Sequence, residues 1–103
     1  MIRHMVLVKF KPDLPQAEIA GVFAELDALK RVVPGMLGFQ AGPNVSPEPL
    51  GRGYGHAFVV DFADAAARDA YLAHPAHQAA GARLVGTTVD GVDGILVFDV
   101  EMP

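Results

Sequence analysis

The sequence predicts an α+β fold in which two helices cover one face of a four-stranded antiparallel sheet. Three observations predict it: the segments follow the order β-α-β-β-α-β, the chain has only 103 residues, and 51% of them are apolar. A chain of this length supplies one hydrophobic core, so we expect a single domain over residues 1–103. The element order is that of the ferredoxin-like split βαβ motif.

The first two elements are a strand and an amphipathic helix. Residues 2–10 alternate two sets of side chains, are rich in β-branched types and end before a Lys-Pro-Asp turn, which predicts a strand. Pro15 stands at a first-turn position of the helix that follows. Apolar side chains then recur at three- and four-residue spacing as far as Val33, and the Pro-Gly pair after it ends the helix.

Two more strands follow, separated by a loop. Residues 36–45 predict a strand that two glycines weaken, and residues 54–62 predict one with clear alternation. Residues 43–53 contain three prolines and two further glycines, which is typical of a loop.

The last third of the chain predicts a helix, a short helical turn and a strand. Asp64 is placed to cap an alanine-rich helix that runs through Leu72 and stops at His74 and Pro75. We expect His74 to close that helix at its C-terminus, where the helix dipole favours it. Residues 76–84 predict only a short helical turn, because Gly81 weakens it, and residues 94–100 predict the final strand.

Composition argues against several classes of protein. The chain has no cysteine, so it has neither disulfides nor thiolate metal ligands. Its net charge of −4, without a run of like charges, argues against a nucleic-acid partner. No apolar stretch reaches about 18 residues and the N-terminus lacks a signal-peptide core, so we expect a cytoplasmic protein without a membrane partner.

We expect neither a metal nor a cofactor. The histidines at 74 and 77 lack the i, i+4 helical spacing of a zinc motif, and no nearby carboxylate is indicated. The glycine-rich stretches do not lie between a strand and a helix in the dinucleotide-binding pattern.

The sheet has a second apolar face. Residues 5–8, 57–60 and 95–98 are apolar at every position, so both faces of three strands are apolar, whereas two helices can cover only one face. An exposed face of this size would exceed what monomers usually tolerate. We therefore expect a symmetric homodimer that packs the open faces together.

The chain resembles the stress-responsive A/B barrel (Dabb) family, the dimeric α/β barrels, over roughly residues 3–100. The resemblance lies in HMVLVKFK at 4–11, VPG at 33–35, GYGHA at 53–57, YLAHPAH at 71–77 and VFD at 97–99. The order and spacing of these pieces are together specific to the family. Several plant members are known as stress-induced proteins, so the resemblance implies a dimeric barrel associated with stress and does not itself imply a reaction.

One branch of the family, the polyketide cyclases of the olivetolic acid type, closes a linear poly-β-keto thioester by an intramolecular aldol step. The resemblance to this branch implies His77 as the base and Tyr71 as the assisting hydrogen-bond donor. It also matches the two strand histidines of the branch with His4 and His56. The cyclase has bulky aromatic residues before its last strand, whereas residues 86–94 here are small and glycine-rich, so its substrate is not carried over.

These residue types suit that chemistry, although each side chain also has a structural interpretation. A base that titrates near neutrality can remove a proton between two carbonyls, and a phenol can stabilise the enolate. Alternatively, Tyr71 is a core aromatic residue and His77 a packing or capping one. His4 and His56 either form hydrogen bonds near the end of the barrel or line the same cavity as that pair. Val6 and Phe23 complete the candidate cavity wall.

The sequence thus predicts a stress-associated homodimeric module whose small apolar cavity takes an apolar carbonyl or phenolic compound. The alternative is a cofactor-independent, cyclase-like lyase or aldol catalyst that uses His77 and Tyr71. A second alternative, from fold analogy alone, is a cofactor-free oxygenase-like or isomerase-like activity.

Overall fold

The computed structural model describes all 103 residues and has the predicted α+β architecture with one additional helix. Four strands form one antiparallel sheet in the order β2-β3-β1-β4: β1 (Ile2–Val8), β2 (Met36–Pro43), β3 (His56–Phe62) and β4 (Ile95–Glu101). Three helices join them: α1 (Gln16–Asp27), α2 (Ala65–Ala73) and α3 (Pro75–Gly86). The predicted ferredoxin-like class is confirmed. None of the helices has the length and apolarity needed to span a bilayer.

The central strand β1 determines which side chains face the helices. Alternate residues from Ile2 to Val8 are buried, because the side chains of a strand alternate between the two faces of the sheet. In the register of the sheet, His4 lies opposite Val60 on β3 and Asp99 on β4. The face that carries His4 is therefore the helix-covered face. Its core includes Ile2, Val6, Val8, Val22, Leu26, Phe58, Val60, Phe62, Tyr71 and Leu84.

Several elements are shorter than the sequence predicts. Strand β1 ends at Val8, and Phe10 forms only an isolated bridge to Thr88. Strand β2 ends at Pro43 instead of residue 45, and β3 begins at His56 instead of residue 54. Helix α1 ends at Asp27 and continues as a tighter 3₁₀ turn over residues 28–31, so the apolar spacing up to residue 33 spans two kinds of helix.

Helix α3 corrects the prediction of a short helical turn, since it has twelve residues. Pro75 occupies its first turn, where a missing N–H is harmless, and the His74 Nδ1 accepts a hydrogen bond from the Ala76 N–H at 3.0 Å. His74 thus caps the start of α3. It is also the residue that closes α2 at its C-terminus, as predicted. Burial of Ala80 and Leu84 against the core offsets the propensity cost of about 1 kcal/mol that Gly81 imposes.

The opposite face of the sheet carries no helix. Leu96 and Phe98 of β4 are exposed there, and Phe98 is 59% exposed. Their partners across β1 in the sheet register are Leu7 and Met5, which are partly buried. The outer strands β2 and β4 each leave one edge unpaired. The apolar second face expected from the sequence is thus present.

Candidate functional site

A cavity of about 520 Å³ lies between α3 and the helix-covered face of β1 and β4. Helix α3 does not fully cover β4, and Val97, which faces the cavity, is 55% exposed. Most of the wall is apolar, from Val6, Leu26, Phe58, Leu72, Leu84, Val85, Ile95 and Val97. Its polar side chains are His4, His77, Gln78 and Asp99. An apolar wall with a few convergent polar groups is typical of a site for a small organic molecule.

His4 is fixed in this wall by a carboxylate on the neighbouring strand. Its side chain is 5% exposed, and its Nδ1 lies 2.6 Å from the Asp99 Oδ1. Since a carboxylate can only accept, Nδ1 carries the proton and, in the neutral ring, Nε2 carries the lone pair. The other oxygen of Asp99 accepts a hydrogen bond from the Arg68 Nη1 at 3.2 Å. Three side chains from β1, β4 and α2 therefore form one chain of contacts.

Tyr71 and His77 are brought together by the break between α2 and α3. On an unbroken helix, residues six apart would point in roughly opposite directions. At His74 the backbone is extended (φ −68°, ψ 134°), so the chain changes direction before α3 begins. The ring centroids of Tyr71 and His77 are consequently 4.2 Å apart. His4 packs edge-on against Tyr71, with 6.0 Å between the two ring centroids.

The electrostatic environment keeps this pair of rings neutral. Burial lowers the pKa of His77 below its ordinary value, because it disfavours the charged imidazolium. The Leu72 backbone carbonyl raises this pKa, and Coulomb repulsion from His4 lowers it further. The Nδ1 of His77 is buried and has no hydrogen-bond partner. Burial also raises the pKa of Tyr71 well above 10, so its hydroxyl remains protonated. The pair combines an uncharged imidazole with a protonated phenol.

The free energy of unfolding should decrease as the pH falls below about 6.5, the ordinary histidine value. Because the pKa of His77 is lower in the folded protein, the unfolded chain binds the proton first. The part of the free energy of unfolding that depends on an unprotonated His77 is complete above about pH 6.5, and it is lost as the pH falls to the lower pKa of His77 in the folded protein. Urea unfolding between about pH 8 and 5 should show a smaller decrease for His77→Gln than for the wild type. Parallel pH profiles for the two proteins would exclude this role of His77.

The structure places three of the six predicted site residues on the cavity wall: His4, Val6 and His77. Tyr71 is fully buried and packs against His77 without lining the cavity itself. It therefore lies behind the wall.

His56 and Phe23 lie outside this cavity. Both belong to an aromatic cluster with Phe10, in which His56 and Phe10 have ring centroids 5.1 Å apart. His56 also borders a separate depression formed with the loop before β3. His56 on β3 lies opposite Val8, the last residue of β1, so it stands four residues along that strand from His4. The four histidines do not share one cavity.

Two residues at the site were missed by the sequence reasoning, Asp99 and Arg68. The signal for Asp99 was partial: the sequence shows an acidic residue at an otherwise apolar strand position, but its pairing with His4 is seen only in the sheet register. The signal for Arg68 was weak, because an arginine on an alanine-rich helix usually faces solvent. No group of three or more His, Asp or Glu side chains is arranged to hold a metal ion.

The fold and the cavity define a ferredoxin-like α+β protein with a small-molecule-sized cavity beside its last strand. The family model of the stress responsive A/B barrel domain matches residues 2–102. The chain belongs to the stress-responsive A/B barrel domain family.

Proteins with sequence similarity to this chain include a stress-response protein and an enzyme. The stress-response A/B barrel domain-containing protein HS1 of Arabidopsis thaliana is 31% identical over 97% of this chain and 88% of its own length. The olivetolic acid cyclase of Cannabis sativa is 28% identical over 78% of this chain and 79% of its own. A dimeric ferredoxin-like protein from Jannaschia sp. CCS1 superposes with a TM-score of 0.90 at 39% identity, covering 98% of both chains.

Proposed function

We propose that this protein is a homodimeric module that binds a small apolar carbonyl or phenolic compound in the cavity beside β4. The observation that carries the proposal is His77, which lines a largely apolar cavity of about 520 Å³ and whose Nδ1 is buried without a hydrogen-bond partner. A buried polar atom without a partner is costly, and a rotation of the His77 ring that lets a ligand supply the partner would relieve that cost. The stress association of the family is consistent with such a binding role.

The open face of the sheet supports the proposed homodimer. Phe98 and Leu96 stand on that face without a covering element, and the two outer strands have free edges. A second copy supplies an identical apolar face, so one two-fold interface covers both. The dimeric Jannaschia protein, with similarity over nearly the full length of both chains, supports this assembly.

Cyclase-like catalysis is the second candidate function, and the contact between Tyr71 and His77 favours it. A neutral imidazole can remove a proton from the carbon between two carbonyls, and the resulting carbanion can attack a distant carbonyl of the same molecule. Before that attack, a phenol near His77 can stabilise the enolate by donating a hydrogen bond to its oxygen. After the attack, the new alkoxide takes a proton back from the imidazolium, which returns to its neutral form. The similarity to olivetolic acid cyclase supports this candidate, although Tyr71 lies behind His77 and not on the wall.

A thermal-shift screen of para-butylphenol, apolar phenolic acids and linear β-keto thioesters tests the binding proposal. A ligand present at 100 times its Kd adds about 2.7 kcal/mol, which raises the Tm by roughly 10–20 °C for a chain of this size. The shift should disappear in His77→Ala and persist in His56→Gln, the matched histidine outside the cavity. The proposal would be wrong if no compound stabilised the wild type, or if His56→Gln lost the shift and His77→Ala kept it.

Tyr71→Phe separates the two candidate functions. If Tyr71 only packs behind His77, the phenylalanine variant keeps the ligand-induced shift and has no turnover to lose. If Tyr71 donates to an enolate, the wild type converts the β-keto thioester and Tyr71→Phe loses at least about tenfold in rate. Product formation by wild type and Tyr71→Phe at equal rates would exclude the donor role.

A further inference from the structure

Arg68 connects the surface of α2 to the wall of the cavity. It lies three residues before Tyr71, so both side chains project from adjacent turns of the helix. The Arg68 Nη1 donates to the Asp99 Oδ2 at 3.2 Å, while its Nε and Nη2 both donate to the Asp69 Oδ1 at 3.1 Å. The guanidinium of Arg68 is therefore held by two hydrogen bonds to Asp69 and one to Asp99.

Both oxygens of Asp99 are occupied by this arrangement. One accepts from His4 and the other from Arg68, and the side chains of Asp99 and Arg68 are each 25% exposed. Without Arg68, the carboxylate would keep one fixed partner and could rotate toward solvent. A carboxylate that rotates in this way holds the proton of His4 on Nδ1 less firmly, because His4 is then its only fixed partner.

The tautomer of His4 matters because His4 lines the cavity. With the proton on Nδ1, the nitrogen that His4 has left to offer is an acceptor, Nε2. With the proton on Nε2, the same ring would offer a donor. The ligand that fits the first state donates a hydrogen bond, as a phenol or an enol does.

We propose that Arg68 is a positioning residue that, through Asp99, holds His4 as a hydrogen-bond acceptor and so selects ligands with a hydroxyl donor. The inference rests on the proposed function, since it concerns the same cavity. Arg68 itself does not line the cavity, so its effect is transmitted through two hydrogen bonds.

The imidazole nitrogen chemical shifts of His4 in the ligand-free protein test this proposal first, measured well above the ordinary imidazole pKa of about 6.5. Wild type should show one protonated and one unprotonated nitrogen, with Nδ1 protonated. Arg68→Met should shift both nitrogens toward intermediate values, and Arg68→Lys should restore most of the wild-type pattern. Asp69→Asn, which removes the other partner of Arg68, should leave the pattern unchanged. Amide spectra establish that each variant is folded.

Binding of para-butylphenol and its methyl ether gives the second readout. Wild type should prefer the phenol by about tenfold, the effect of one hydrogen bond worth about 1.4 kcal/mol. Arg68→Met should reduce this preference at least threefold. An unchanged His4 tautomer in Arg68→Met would overturn the proposal and leave Arg68 with a structural role only. If neither compound binds wild type, the proposed function fails, while the tautomer measurement still decides the role of Arg68.

Discussion

Replacing Phe98 with aspartate is expected to convert the proposed homodimer into a monomer. Phe98 is 59% exposed on the open face of the sheet, opposite Met5 on β1. In a two-fold interface, the substitution removes two phenyl groups, each worth about 1.5–3 kcal/mol, and buries two unpaired carboxylates. A total of about 5 kcal/mol corresponds to roughly a 5,000-fold increase in the dissociation constant. Light scattering at micromolar concentration measures the change directly.

The matched control is Val92→Asp. Val92 is also an exposed apolar residue, at 69%, but it lies in the turn before β4 and not on the open sheet face. It should leave the dimer intact. A wild type that is monomeric at micromolar concentration, or a Phe98→Asp protein that remains dimeric, would show that the open face is not the interface.

Replacing Gly35 with alanine is expected to destabilise the protein by about 2–4 kcal/mol. Gly35 has a φ of +86°, a conformation that costs an alanine about 1–2 kcal/mol. A Cβ at this position would also lie 2.6 Å from the Cβ of Ala67 on α2, so α2 would have to move away from the sheet. Chemical unfolding measures the free-energy change, and the Tm should fall by at least about 10 °C.

Gly81→Ala provides the comparison for Gly35. A Cβ at Gly81 meets no atom within 4 Å, and the residue lies within α3 with an ordinary φ. Alanine should therefore stabilise the protein by about 0.5–1 kcal/mol. Equal effects of the two substitutions would mean that residue 35 has neither a backbone strained for alanine nor a tight contact with α2.

Local periodicity predicted most of the fold correctly. The alternation predicted β1 and β3 as strands, and Asp64 does cap α2, since its Oδ1 accepts from the Ala67 N–H at 2.8 Å. The prediction was wrong for α3, which looked like a short turn. Propensity alone underestimates a helix that contains a glycine, whereas burial of Leu84 and the capping histidine at 74 determine its length.

The candidate site was less predictable, because it depends on chain direction and strand pairing. Spacing alone would have separated Tyr71 and His77, and only the family resemblance suggested that they act together. The aromatic cluster around His56 could not be distinguished from the cavity, because both lie on the same face of the sheet. Asp99 was missed because a cross-strand partner is known only once the register of β1 and β4 is known.

The cavity could not be predicted from composition either. Its volume results from the incomplete cover that α3 gives to β4, which is a property of helix placement and not of any motif. The same apolar residues, packed a few ångströms closer, would form a filled core.

The most direct test of the central claim is a titration of the labelled protein with para-butylphenol, followed by two-dimensional amide spectra. If the cavity beside β4 is the ligand site, saturable shifts should concentrate at residues 4, 77, 97 and 99. Residues 10, 23 and 56, in the aromatic cluster at the far end of β1, should move little. Shifts confined to that cluster, or none that saturate, would contradict the account.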